Sequence, residues 1–97
     1  SVVGAAKGDT ASIQKLADYY KTRSVNLAPF VSNHDSFAGD RLWNQVQGNL
    51  AQYKMAAASY LLLPGTPFIY YGEEIGMTGA KPDEYIRTPM HWNNSSY

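Results

Sequence analysis

The chain reads as an α/β fold with parallel strands, part of a larger sheet or barrel, and three observations predict this. An apolar run from Leu27 to Ser32 stops abruptly at the polar cluster Asn33-His34-Asp35. A second apolar run, Phe68-Ile69-Tyr70-Tyr71, stops in the same way at Gly72-Glu73-Glu74, and the long apolar stretch between the two has the length and punctuation of a helix. Strand, helix and strand with no hairpin signal between them imply a right-handed crossover, so both strands point the same way and carry their polar ends to one rim. The carboxyl ends of parallel strands are where such folds place their chemistry, because the loops there converge on a single face.

The elements follow in order. Val2 to Gly8 is short and glycine-containing and reads as a connection. Asp9 and Thr10 are N-cap candidates, and Ile13, Leu16, Ala17 and Tyr20 recur at helical spacing opposite Gln14, Lys15, Asp18 and Lys21, predicting an amphipathic helix from about Ala11 to Thr22 with one face on a core. The first strand covers Leu27 to Ser32, with Pro29 demanding a place near its start or at a bulge. A polar glycine-bearing loop follows, then a turn of helix at Leu42 to Val46. Gly48-Asn49 breaks and caps before a helix from Leu50 to Leu63. That helix is apolar around most of its circumference, the pattern of burial on several sides. Pro64-Gly65-Thr66-Pro67 ends it. Phe68 to Tyr71, continuous and apolar, is a strand covered on both faces, with Tyr70 and Tyr71 pointing to opposite sides. Beyond Met77 lies a turn-rich loop, and Asn93 to Tyr97 resembles a frayed end.

Composition narrows the function. The chain has 97 residues, 44% hydrophobic and 16% charged, which sets aside disordered and collagen-like classes. A net charge of +0 without a Lys/Arg run lacks the footprint of a nucleic-acid or anionic-membrane binder. No stretch reaches the ~18 apolar residues of a membrane span. With Cys 0, disulfides, thiolate metal sites and a cysteine nucleophile are excluded. Eight tyrosines and two tryptophans supply flat apolar platforms that suit sugars and cores alike. Two parallel strands alone leave unpaired edges and uncovered helices, so the chain is expected to be part of a larger sheet or barrel and to pair with further sequence or to self-associate through those edges.

Each polar group has a plain and a chemical reading. Asn33 and Asp35 suit turns, with His34 filling space; alternatively they form a carboxylate and an imidazole fixed at a strand end to grip hydroxyls. Adjacent His and Asp make a poor metal pair, and no metal or other cofactor is expected. Glu73 and Glu74 suit the positive end of a short helix, and they also overlook the rim. Arg41 and Arg87 suit solvated loops. His91-Trp92 fits either a cover over the core or a stacking surface.

Together, FVSNHD, PGTPFIYYGEEIGM and IRTPMHW resemble three ordered segments of the α-amylase family of glycoside hydrolases, the likeness running from about residue 9 to the end. The resemblance implies a fragment of a (β/α)8 TIM barrel: the sixth helix, seventh strand, seventh helix, eighth strand and following loop, with residues 1–97 forming a partial catalytic domain incomplete at its N-terminal side. It implies that Asp35 stabilises the transition state and that His34 and Arg87 bind the same sugar, with Asn33 bracing the strand end. The loop after Asp35 departs from members in which an arginine follows about three residues later, Arg41 being further along. The substrate implied is an α-glucan or oligosaccharide, acted on by a retaining mechanism. The nucleophile and general acid fall outside this chain, which alone is expected to be inactive. A non-catalytic carbohydrate-binding or interaction scaffold of the same fold is the alternative.

Overall fold

The computed structural model describes residues 1–22 and 27–93. Four α-helices are present among them: α1 (Val2–Ala6), α2 (Thr10–Thr22), α3 (Leu42–Gln45) and α4 (Leu50–Leu61), with 3₁₀ turns at Ser36–Ala38, Glu73–Ile75 and Asp83–Tyr85. The expected connection at the start is therefore a short helix. Ser1 makes it one, its Oγ accepting the Gly4 N–H at 3.0 Å, and Val2, Val3 and Ala6 pack on the core. Asp9 starts α2 through Oδ1, which accepts the Ala11 N–H at 3.1 Å, and Oδ2, which accepts the Ser12 hydroxyl at 2.7 Å. Asn49 caps α4 by accepting the Gln52 N–H at 3.1 Å. In both cases a side-chain oxygen satisfies a backbone donor that the first helical turn leaves without a partner.

Neither predicted strand forms a ladder, and no strand occurs among the described residues. Two extended segments lie side by side instead: the Thr66 N–H donates to the Leu27 carbonyl at 2.8 Å, and the Phe68 N–H to the Pro29 carbonyl at 2.9 Å. The order of these bonds is parallel, as expected. A parallel ladder would return a bond from residue 29 to the Thr66 carbonyl, and proline has no N–H to supply it. Pro29 thus halves the ladder at its centre. Gly65, at φ +110°, lets the second segment approach the first: a Cβ there would lie 2.1 Å from the Leu27 carbonyl oxygen.

The core gathers Val31 from the first segment, Leu42 and Val46 around α3, and Ala56 and Tyr60 from α4. Burial is less complete than the sequence predicts. In α4 only Ala56 and Tyr60 are buried, while Leu50, Met55 and Leu61 are exposed, as is Leu62 just after it, so one stripe rather than the whole circumference is covered by this chain. No residue of α2 is buried, and Ile13 is half-exposed, because among the described residues α2 packs on little besides the five-residue α1. No helix is long and apolar enough to cross a membrane among the described residues. Of the stretch read as a frayed end, all but Asn93 lies outside the described residues.

Candidate functional site

The polar tip of the first segment begins with a turn. Asn33 Oδ1 accepts the Asp35 N–H at 2.8 Å, a local bond that swings His34 and Asp35 outward. The plain and the chemical readings of this tripeptide are thus both visible, since the turn is what presents the two side chains. His34 Nε2 lies 3.3 Å from Asp35 Oδ2. Arg87 arrives from the far end of the chain and ties them together. Its Nε donates to the His34 carbonyl at 2.7 Å, and its Nη2 donates both to Asp35 Oδ1 at 3.1 Å and to Asp83 Oδ2 at 2.8 Å. All three residues singled out in the sequence therefore meet in one cluster, open to solvent.

Asp83 completes the cluster and was not singled out. Its Oδ1 accepts the Ser36 N–H at 2.9 Å, so the loop after Asp35 and the guanidinium of Arg87 share one carboxylate. The bonds from Ser36 hold its carboxyl below the usual carboxylate value, with Arg87 and His34 adding to the effect. The signal available in the sequence was the i, i+4 spacing of Asp83 and Arg87.

Behind this open cluster lies a buried polar layer. Glu73, in the first turn after Gly72, points inward rather than over the rim: Oε1 accepts the Ser32 hydroxyl, Oε2 accepts the Tyr60 hydroxyl at 3.3 Å, and the Glu73 carbonyl accepts the Tyr53 hydroxyl. Burial raises the Glu73 carboxyl above its usual value, against the lowering influence of Ser32, Tyr60 and Arg41. Burial likewise pushes the Tyr53 hydroxyl up to about 12. Glu74 stays exposed.

Arg41, expected in solvent, is fully buried. Its Nη1 donates to the Tyr71 carbonyl at 2.7 Å, and its guanidinium carbon sits 4.6 Å and 4.7 Å from the Tyr70 and Tyr71 ring centres. Nε and Nη2 have no hydrogen-bond partner among the described residues, and the cation is held by its position over the two rings. Arg41 is therefore part of the scaffold and makes no wall of the open cluster. Tyr70 and Tyr71 do not point to opposite sides. Their rings meet edge to face at 4.6 Å, and their hydroxyls donate to the carbonyls of Ile86 at 2.9 Å and Thr88 at 2.6 Å. The extended run ends at Tyr70 and the chain turns at Tyr71, which breaks the alternation. Trp92 is 82% exposed and does not cover the core.

A cleft of about 330 Å³ adjoins His34, walled by Phe30, Phe68, Ile69 and Tyr70. It opens along the uncovered side of the two extended segments. No group of three or more His, Asp or Glu residues is placed to hold a metal ion among the described residues.

Residues 6–97 match the catalytic domain of the alpha-amylase family. The chain belongs to that family. Its similarity to Alpha-amylase 3 of Dictyoglomus thermophilum is 51% identity over 67 residues, which is 69% of this chain and 13% of that protein. With Alpha-amylase SusG of Bacteroides thetaiotaomicron it shares 39% identity over 89 residues, 90% of this chain and 12% of that protein. The structure of an alpha-amylase from H. orenii superposes with a TM-score of 0.79 at 39% identity, covering 100% of this chain and 21% of that one. The chain thus spans a minor part of the length of these alpha-amylase relatives, and its fold is a piece of theirs.

Proposed function

We propose that this chain is part of a retaining glycoside hydrolase acting on α-linked glucans, and that Asp35, His34 and Arg87 form one wall of the subsite that holds the reacting sugar. The observation that supports it is the Arg87 bridge, in which one guanidinium fixes the His34 backbone and the Asp35 carboxylate together at an open rim. In this reading α2, the segment 27–31, α4 and the segment 66–70 are the sixth helix, seventh strand, seventh helix and eighth strand of the barrel. The exposed apolar wall of Phe30, Phe68 and Ile69 supports that placement, because further strands and helices would cover it.

The chemistry suits the residue types. An oxocarbenium-like ring develops positive charge, and carboxylate and imidazole groups held against its hydroxyls bind it more tightly as the charge grows. The nucleophile and general acid come from other parts of the barrel. Glu73 is too deeply buried for either role, and Glu74, exposed to solvent, makes no bond to the cluster among the described residues. The isolated chain consequently shows no glycosidase activity and self-associates through its uncovered apolar wall.

The deciding experiment is Asp35→Asn in the full-length enzyme, assayed on a linear malto-oligosaccharide. A loss of about 10²-fold or more in kcat is expected for one preorganised polar partner of the transition state. Undiminished turnover by that variant, or hydrolysis by the isolated chain, overturns the assignment. Undiminished sugar binding with no turnover by the wild-type protein would instead favour a carbohydrate-binding scaffold.

A further inference from the structure

Glu73 is the one buried carboxylate among the described residues, and its partners define a bracket. From α4 come two tyrosine hydroxyls, Tyr53 to its carbonyl and Tyr60 to Oε2; from the first extended segment comes the Ser32 hydroxyl to Oε1. Ser32 is 2% exposed and Glu73 6% exposed, so water does not compete for these bonds. Ser32 directly precedes the Asn33–Asp35 turn. On its other side the same turn is held by Arg87 at the His34 carbonyl, 2.7 Å.

An apolar side chain would fill the Glu73 position with a smaller desolvation penalty, and burying a carboxylate is unfavourable unless its bonds serve some further end. What hydrogen bonds add over apolar contact is direction. We infer that Glu73 is a positioning residue for the reaction: through Ser32 it fixes the angle at which the turn delivers His34 and Asp35 to the sugar. It touches no substrate. The inference rests on the sugar-subsite reading of Asp35 and deepens it.

Small displacements of a catalytic group far exceed their structural size in effect, about 10²-fold in rate for ~1 Å. In the full-length enzyme Ser32→Ala, which cuts the tether and leaves Arg41 and Glu73 in place, is expected to lower kcat by about 10- to 100-fold with KM changed less than about threefold. Tyr60→Phe removes a bond to the same carboxylate from the helix side while leaving the Ser32 tether intact. It lowers the melting temperature and changes kcat by less than about threefold. The double variant Ser32→Ala/Glu73→Gln is no slower than the slower single variant, because both break one link.

Equal kcat losses in Ser32→Ala and Tyr60→Phe overturn the inference, since that is what loss of stability alone would give. So do multiplicative losses in the double variant, or wild-type kcat in Ser32→Ala. Should Glu73→Gln fail to fold, the comparison of Ser32→Ala with Tyr60→Phe decides. Asp35→Asn, assayed alongside, separates the two levels. An inactive Asp35→Asn with an unimpaired Ser32→Ala removes only the role of Glu73, whereas an active Asp35→Asn removes the subsite reading itself.

Discussion

Arg87 offers a perturbation in which stability and catalysis should part company. Its guanidinium makes three bonds, to the His34 carbonyl, to Asp35 and to Asp83. The partners are wet: side-chain exposure is 47% for Arg87, 50% for Asp35 and 36% for Asp83. Exposed ion pairs contribute ~0.2–1 kcal/mol each and a single hydrogen bond ~1 kcal/mol, so Arg87→Ala should reduce folding stability by only about 2 kcal/mol. Its effect on turnover should be larger. In the proposed subsite the same bonds would hold Asp35 against a developing charge from which water is excluded, where one preorganised partner is worth ~2.7–4 kcal/mol, or 10²–10³-fold. Arg87→Lys sharpens the test. A lysine retains the charge but presents a single ammonium, which lacks the planar fork needed to reach the His34 carbonyl and Asp35 together. Urea unfolding and kcat/KM on a malto-oligosaccharide, measured in the full-length enzyme, should show Arg87→Lys within ~1 kcal/mol of wild type in stability yet about 10²-fold down in kcat/KM. Wild-type kcat/KM in Arg87→Lys, or an activity loss in Arg87→Ala no greater than its stability loss, would refute the reasoning.

Two further outcomes concern the scaffold. Gly65→Ala places a Cβ 2.1 Å from the carbonyl oxygen that accepts the Thr66 N–H, at a φ of +110° that an alanine rarely adopts, so a loss of about 3–5 kcal/mol in urea unfolding is expected; a loss under ~1 kcal/mol would show that the two extended segments do not need each other. The second is a pH dependence. Glu73 faces Arg41, Glu74, Tyr53 and Tyr60, and burial raises its carboxyl in the folded state above the ordinary 4.5. A raised carboxyl contributes stability that is fully present below the unfolded value and is lost as pH climbs through the folded one. Glu73→Gln has no such titration, so wild type should lose stability relative to this variant as pH rises from about 4 towards 7. Denaturant midpoints of both proteins across that range check it, and a constant or growing wild-type advantage contradicts the raised value.

Much of the layout was legible because it depends on local chemistry. Asp9 and Asn49 announce the starts of α2 and α4, and each caps as its side chain predicts. The like-directed segments followed from the absence of hairpin signals, and the Thr66 and Phe68 bonds run in the parallel order. Asp35, His34 and Arg87 were picked out by residue type and resemblance, and the fold brings them within hydrogen-bonding distance. What escaped depends on partners distant in sequence. Asp83 matters through Ser36, 47 residues away, and Tyr53 through the Glu73 carbonyl, 20 residues away. Arg41 was misjudged because an arginine is ordinarily solvated, and the edge-to-face pair of Tyr70 and Tyr71 rings makes a buried place for it.

The adjacent pair Glu73 and Glu74 shows how a single backbone choice sorts identical side chains. One is buried among hydroxyls and the other lies in solvent. Helical-dipole arguments treat the two alike and cannot separate them. The separation comes from Gly72, which takes φ +85° and turns the chain just after Tyr71, so that the next residue faces the core. A Cβ at Gly72 would lie 2.3 Å from Met77 Sδ, and Met77 is itself buried, so the turn is closed from within. The left-handed conformation is one that glycine adopts without penalty and other residues resist. Gly65 and Gly72 thus stand at the two ends of the second extended segment, the first setting its approach to Leu27 and the second its exit towards Ser32. The polar layer beneath the rim is in this sense placed by two residues that have no side chain at all, which is why its position follows from backbone conformation and not from the hydrophobic pattern.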